Sequence, residues 1–176
     1  MNLPIPSGTY GIDTMHTQLG FAVTHLGISV IRGTFDHFTG SLAIGDSLAD
    51  TSLVIEAEMA SMNSGNEMRD GHMHGPDFFD VASHPHMRFE STSITEAGEG
   101  YALTGQLTIR GVTQEVTLDT TYNGSAVFPM DQSTHYGFSA GTTISRSAFG
   151  VSYAVPLVSD DVNLHLEAQF VQPAPA

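Results

Sequence analysis

The sequence contains no cysteine, no tryptophan and no lysine. The missing cysteine excludes disulfides, thiolate metal ligands and a thiol nucleophile. The missing lysine excludes a Schiff-base amine and reduces the basic residues to five arginines, Arg32, Arg69, Arg88, Arg110 and Arg146. Against 19 Asp and Glu these leave a formal charge of −14. The imbalance reflects few bases rather than many acids, and it argues against nucleic acid and anionic membrane as partners. No run of about 18 apolar residues exists, so neither a membrane-spanning helix nor stable membrane insertion is expected. Residues 1–6 are too short for a signal peptide. The expected location is cytoplasmic, with a secreted or periplasmic mature form as the alternative. Residues 172–176 read as a disordered tail after a single domain spanning 1–171.

What the chain does have is alternation. Leu103, Gly105, Leu107 and Ile109 alternate with Thr104, Gln106 and Thr108, and Val162, Leu164, Leu166, Ala168 and Phe170 with Asn163, His165, Glu167 and Gln169. Period two with one apolar face predicts antiparallel strands half exposed to water. Nine candidates result, over residues 17–25, 28–35, 40–45, 52–59, 87–94, 101–110, 114–122, 136–144 and 161–171. Gly45-Asp46, Gly98-Glu99-Gly100 and Asn123-Gly124 supply turn chemistry between them. Strands this long, one-faced and with little helix to cover them need the sheet to close. The reading is all-β, an eight-stranded antiparallel barrel, with a two-sheet sandwich as the alternative. A barrel of this size either fills with side chains or leaves room for one small ligand. The small inward residues Ala57, Gly105, Ala140, Thr142 and Ala168 fit a tunnel, and small–large alternation in a packed core fits them too.

Residues 61–81 interrupt the pattern. A short helical segment is predicted near 66–80, with Gly75-Pro76 breaking it before Asp77-Phe78-Phe79-Asp80. Across one end of a barrel it would act as a lid in which Met68, Phe78 and Phe79 cap the tunnel, or as a structural plug held by Arg69 and Asp70. Arg146, in Arg146-Ser147-Ala148-Phe149-Gly150, reads as part of a fixed loop. The pairs His72-Met73-His74 and His84-Pro85-His86, with Asp77 and Asp80 between, raise the question of a metal. They lack a defined set of three or four ligands, so no metal site and no cofactor is assigned. Glu56, Glu58 or His25 beside an apolar face could serve as the acid of a cyclase or isomerase acting on a polyene. No nucleophile–base spacing or phosphate loop accompanies them, so no catalytic residue is assigned.

Taken in order, these motifs resemble the YceI-like family along almost the whole chain. The resemblance rests on Gly8-Thr9-Tyr10-Gly11-Ile12-Asp13-Thr14-Met15-His16, on Phe21-Ala22-Val23-Thr24-His25-Leu26-Gly27, and on Gly33-Thr34-Phe35 with Phe38 and Gly40. It continues through Gly65, Asn66, Arg69, Asp70, His72 and Asp77-Phe78-Phe79-Asp80-Val81, then Pro85, Phe89 and Ser91. Gly105-Gln106-Leu107-Thr108-Ile109-Arg110-Gly111-Val112-Thr113 and Ile144-Ser145-Arg146-Ser147-Ala148-Phe149-Gly150 complete it. It implies a lipocalin-like barrel with an apolar tunnel that carries one long-chain lipid, a polyisoprenoid or an isoprenoid quinone-like molecule; no catalytic activity is established for the family in general. Many members are exported, and no signal is seen in this sequence.

A forty-carbon chain buried from water would gain on the order of 30 kcal/mol, at ~0.8 kcal/mol per methylene, past the practical affinity ceiling of about 18–21 kcal/mol. The real competitor is a membrane, so a tunnel only as apolar as lipid suffices. The candidate ligand contacts are Phe21, His25, Phe38, Ile55, Met68, Phe78, Phe79, Phe89, Leu103, Leu107, Leu118, Phe138, Phe149 and Leu164. The expected partner is a hydrophobic small molecule, polyisoprenoid, quinone or fatty-acid-like, with a homodimer left open.

Overall fold

The computed structural model describes residues 3–172, so all but the first residue of the tail expected to be disordered lies outside the described residues. In chain order the strands are β1 (Gly8–Ile12), β2 (Gln18–His25), β3 (Ser29–Phe35), β4 (Phe38–Ile44), β5 (Ser52–Glu58) and β6 (Met62–Asn63). A helix, α1 (Glu67–His74), follows. Then come β7 (His86–Ala97), β8 (Gly100–Ile109), β9 (Val112–Val127), β10 (Thr134–Ser145) and β11 (Val158–Val171). All strands belong to one antiparallel sheet.

Eight of them, β1, β4, β5 and β7 to β11, close into a barrel where β1 meets both β4 and β11. That seam is short: Gly11 pairs with Val171 and Ile12 with Phe170. Two further hydrogen bonds reinforce it. Asp13 N–H donates to the Gln169 carbonyl over 2.8 Å, and Gln169 N–H donates to Thr17 Oγ1 over 3.0 Å. Beyond β1, β11 continues along β2, β2 pairs with β3, and β3 meets the two residues of β6. The β2–β3 ribbon thus raises the wall at one end, called the mouth here; the β1–β11 seam marks the other.

The alternation decides what faces inward. Along β8, Leu103, Gly105, Leu107 and Ile109 are buried while the residues between are half-exposed. Tyr10, Phe149, Met59 and Val151 are the largest wholly buried side chains. Two strands escape the pattern reading. β1 holds two glycines in five residues, and β6 is two residues long. Both are recognisable only by what they pair with.

Helix α1 starts one residue later than its Asn66 cap, whose Oδ1 accepts from Arg69 N–H at 3.0 Å. Asp70 receives Ser64 N–H at 3.1 Å and the Ser64 hydroxyl. Arg69 donates to Ser64 Oγ and Ser64 O, both at 2.7 Å. Arg69 and Asp70 therefore brace the approach to the helix through Ser64.

Candidate functional site

A cavity of about 430 Å³ lies inside the mouth end of the barrel. Strands β2 and β3 contribute Phe21, Val23, Ile31 and Phe35; the segment between β5 and α1 contributes Met59, Met62 and Ser64. The lid supplies Arg69, His72, Met73, Phe78 and Phe79. The loop before β11 supplies Phe149, Val151, Tyr153 and Ala154. No Asp or Glu lines it among the described residues.

Two smaller chambers continue down the barrel. One of about 90 Å³ shares Phe35, Met87 and Leu164 with the main cavity. One of about 40 Å³ shares Leu53, Leu103 and Leu166 with the second. The tunnel expected from small inward residues is thus one roomy chamber over two constricted ones. The reason is visible at Gly105, where a Cβ would stand 2.5 Å from Phe89 Cζ. The neighbouring ring takes the room that the small residue leaves.

Arginines fasten the mouth. Arg146, 6% exposed, donates to four backbone carbonyls at 2.8–2.9 Å: Ser159, Val151, Tyr153 and Val158. Burial lowers the pKa of this guanidinium, while the neighbouring Asp160 carboxylate opposes the shift. The loop before β11 is in effect wrapped around one cation. Arg110, in the β8–β9 turn at φ 52°, donates to the Pro76 carbonyl at 2.9 Å and to the Gly150 carbonyl. It ties the lid to that same loop. The rings of His72, Phe78 and Tyr153 meet edge to face, with centroids 5.1–5.3 Å apart, and close the wall between lid and loop.

The sequence-predicted contacts separate by depth. Phe21, His25, Phe78, Phe79, Phe149 and Leu164 line the main cavity. Ile55, Phe89, Leu103, Leu107 and Leu118 line the second chamber, and Phe138 with Leu103 the third. Phe38 is buried but lines none of these three. Met68, expected as a cap, is instead 87% exposed. The helix turns Arg69, His72 and Met73 to the cavity, and at 100° per residue Met68 falls about a quarter turn off that face.

Of the three groups considered as a catalytic acid, His25 borders the main cavity, while Glu56 and Glu58 lie outside the barrel. Each alternates with buried Ile55 and Ala57, Glu56 faces Arg88 at 3.7 Å and Glu58 faces His37 at 3.4 Å. The histidine pairs are dispersed too: His72 meets Asp77 at 3.3 Å, and the His84 ring lies against Gly111. No group of three or more metal-ligating side chains occurs among the described residues.

Pattern reading missed Tyr153 because its loop has no period, and Val158 because it opens β11 ahead of the residues 161–171 read as a strand; Met62 and Met73 lie outside the strands read from the sequence, and Phe35, though inside one, was not assigned to the ligand. Met87 was legible, since it stands two residues before Phe89 on the same face of β7.

A closed antiparallel barrel with an apolar chamber under a short helical lid defines a lipocalin-like binding architecture. The YceI-like domain profile matches residues 10–170, and the chain belongs to the YceI-like family. A UPF0312 protein of Staphylococcus aureus strain N315 is 33% identical over 165 residues, covering 92% of each chain. A UPF0312 protein of Pseudomonas putida strain W619 is 36% identical over 146 residues, 81% of this chain and 76% of that one. Among solved structures, a YceI protein of Campylobacter jejuni superposes with a TM-score of 0.76 at 31% identity, covering 86% of this chain and 90% of its own. A polyisoprenoid-binding domain from Saccharophagus degradans shares the fold, with a TM-score of 0.69 at 14% identity over 93% of this chain and 98% of its own.

Proposed function

We propose that this chain carries an apolar lipid by enclosing its hydrocarbon tail, of isoprenoid or similar linear type, in the mouth-end cavity. The observation that carries this reading is the 430 Å³ chamber walled by aromatic, aliphatic and methionine side chains, with no carboxylate among the lining residues described. The wall is mostly apolar, with Ser64, Arg69, His72, His25 and Arg146 among its polar members, and Met59, Met62, Met73 and Met87 can repack around an irregular chain. Ser64, Arg69, His72 and His25 at the rim supply the few polar contacts that would orient a head group. The fold shared with the domain described as polyisoprenoid-binding supports the ligand class.

The reading is of binding rather than catalysis, and the outward placement of Glu56 and Glu58 supports it.

The test is organic extraction of protein purified from cells, followed by mass spectrometry, with titration of the stripped protein by a fifteen-carbon isoprenoid alcohol. An extracted apolar molecule near one per chain, or saturable uptake of the alcohol, is expected. An empty extract together with no uptake would overturn the proposal.

A further inference from the structure

The large apolar side chains exposed on this molecule are gathered at one end. Of eleven among the described residues, eight belong to the mouth end, and only Met15, Val127 and Met130 lie at the seam end. The mouth-end group centres on two neighbouring segments. The β2–β3 turn carries Leu26, Ile28 and Val30, and the loop before β11 carries Tyr153, Val155 and Leu157. The segments touch: Leu26 N–H donates to the Leu157 carbonyl at 2.7 Å, and His25 pairs with Val158. Ile28 is 84% exposed and Leu157 59%. The patch runs without interruption into the cavity, because Val23, His25, Ala154 and Val158 line its wall.

Charge divides the two lips of the mouth. Residues 14–35 and 132–159 contain no Asp or Glu, although the chain has 19. Those two spans hold the whole turn and the whole loop, together with Arg32 and Arg146. The opposite lip carries the acids: Glu67, Asp70, Asp77 and Asp80 stand on and just after α1.

From this we infer that the acid-free lip is a docking surface for a lipid bilayer, through which the tail passes between membrane and cavity; the inference rests on the lipid-carrying reading above. Apolar tips that protrude beside a chamber for hydrocarbon, with Asp160 tied at the base of the loop by Ser145 and Ser147, can enter the headgroup region without desolvating a charge of their own. A tail that had to cross water would be disfavoured about fourfold for each methylene exposed. Contact between the lip and the bilayer removes that crossing. Attraction to anionic lipid is not the driving term, because the chain carries −14 overall. The lip therefore fits a zwitterionic surface better than an anionic one. The same charge disfavours a second copy of the chain as the occupant.

The experiment is flotation of the purified chain with phosphatidylcholine vesicles, and separately with vesicles containing phosphatidylglycerol. Ile28→Asp and Leu157→Asp probe the lip; Met130→Asp, at an equally exposed seam-end site, is the control. Circular dichroism and thermal melting check that each variant folds. Wild type and Met130→Asp are expected to float with phosphatidylcholine. Each lip variant is expected to lose at least tenfold in vesicle affinity while its organic extract holds the same amount of ligand. Failure of wild type to float, or equal loss in Met130→Asp, would overturn the inference. So would lip variants that float as wild type does, or a lip substitution that abolishes a concentration-dependent dimer and leaves vesicle binding intact. The extract is read independently of flotation, so an empty cavity and an idle lip give different results.

Discussion

The Phe21 ring lies across the backbone of Gly33, its partner on the neighbouring strand, so that a Cβ at position 33 would stand 2.3 Å from Phe21 Cζ. The same atom would come within 2.8 Å of the Asn63 carbonyl oxygen, so moving the ring alone does not relieve the clash. Phe21 also packs against Phe35 at 5.7 Å and forms part of the cavity wall. Gly33→Ala is expected to destabilise by about 1–3 kcal/mol, the usual cost of overpacking, and to push the ring into the chamber. Urea unfolding and the amount of lipid extracted should fall together. A variant with unchanged stability and unchanged lipid would show that the ring is not held there.

That contact also explains what could and could not be read from the chain. The inward face of β8 and β11 was legible because period two places Leu103, Leu107, Leu164 and Leu166 on one side whatever the neighbours are. The volume inside was not, since Gly33 and Gly105 are occupied by rings from adjacent strands. β1 was invisible as a strand because its pairing depends on the distant residues 41–44 and 170–171. Arg110 stood at the end of the strand read over 101–110, and its role as a clasp appears only when Pro76 and Gly150 meet it in space.

Arg146 is a buried cation satisfied by neutral carbonyls. Arg146→Met would keep most of the volume and leave the carbonyls of Val151, Tyr153, Val158 and Ser159 without their donors. The expected loss is about 3–5 kcal/mol, the scale for breaking a buried charged network. Tyr153 would move away from Phe78, and proteolysis at residues 150–157 should accelerate. Arg146→Lys should recover little, because one ammonium cannot span carbonyls that a planar fork reaches.

Arg110 joins lid and loop from outside the cavity, so its removal should alter exchange more than fold. Arg110→Ala forfeits charged hydrogen bonds to Pro76 and Gly150, at a cost of roughly 1–2 kcal/mol for exposed partners. Amide exchange in residues 67–81 should quicken, and release of a bound isoprenoid should be several-fold faster. Unaltered release would mean that the lid is held by its aromatic contacts alone.

Asp160 anchors the same loop through pH. Its carboxylate accepts from Ser145 Oγ, from Ser147 N–H and from Ser147 Oγ. The Ser145 bond above all, opposed by desolvation and aided by Ser147 and Arg146, holds its pKa below the ordinary carboxylate value. A pKa depressed in the folded state means that the unfolded chain binds more protons. Stability from this group is then complete above about pH 4 and is lost as pH falls through the folded value. Asp160→Asn should lower the melting temperature at pH 7 more than at pH 3. An equal drop at both values would place the effect in the hydrogen-bond geometry and not in the charge.

The neck formed by Phe35, Met87 and Leu164 sets how far a chain can descend, because all three border both the 430 Å³ and the 90 Å³ chambers. Met87 is the adjustable member, being half-buried and unbranched. Met87→Ala should join the two spaces at a cost of about 2 kcal/mol, the low end for such truncations. Extracted lipids, or isoprenoid alcohols offered in a length series, should then shift towards chains about one isoprene unit longer. Ala57→Val tests the converse, because Ala57 lines only the lower chamber and is 1% exposed. If the ligand stops at the neck, filling that chamber leaves its length unchanged. A shift to shorter chains in Ala57→Val would show that the wild-type ligand already passes Met87, and that the neck opens around it.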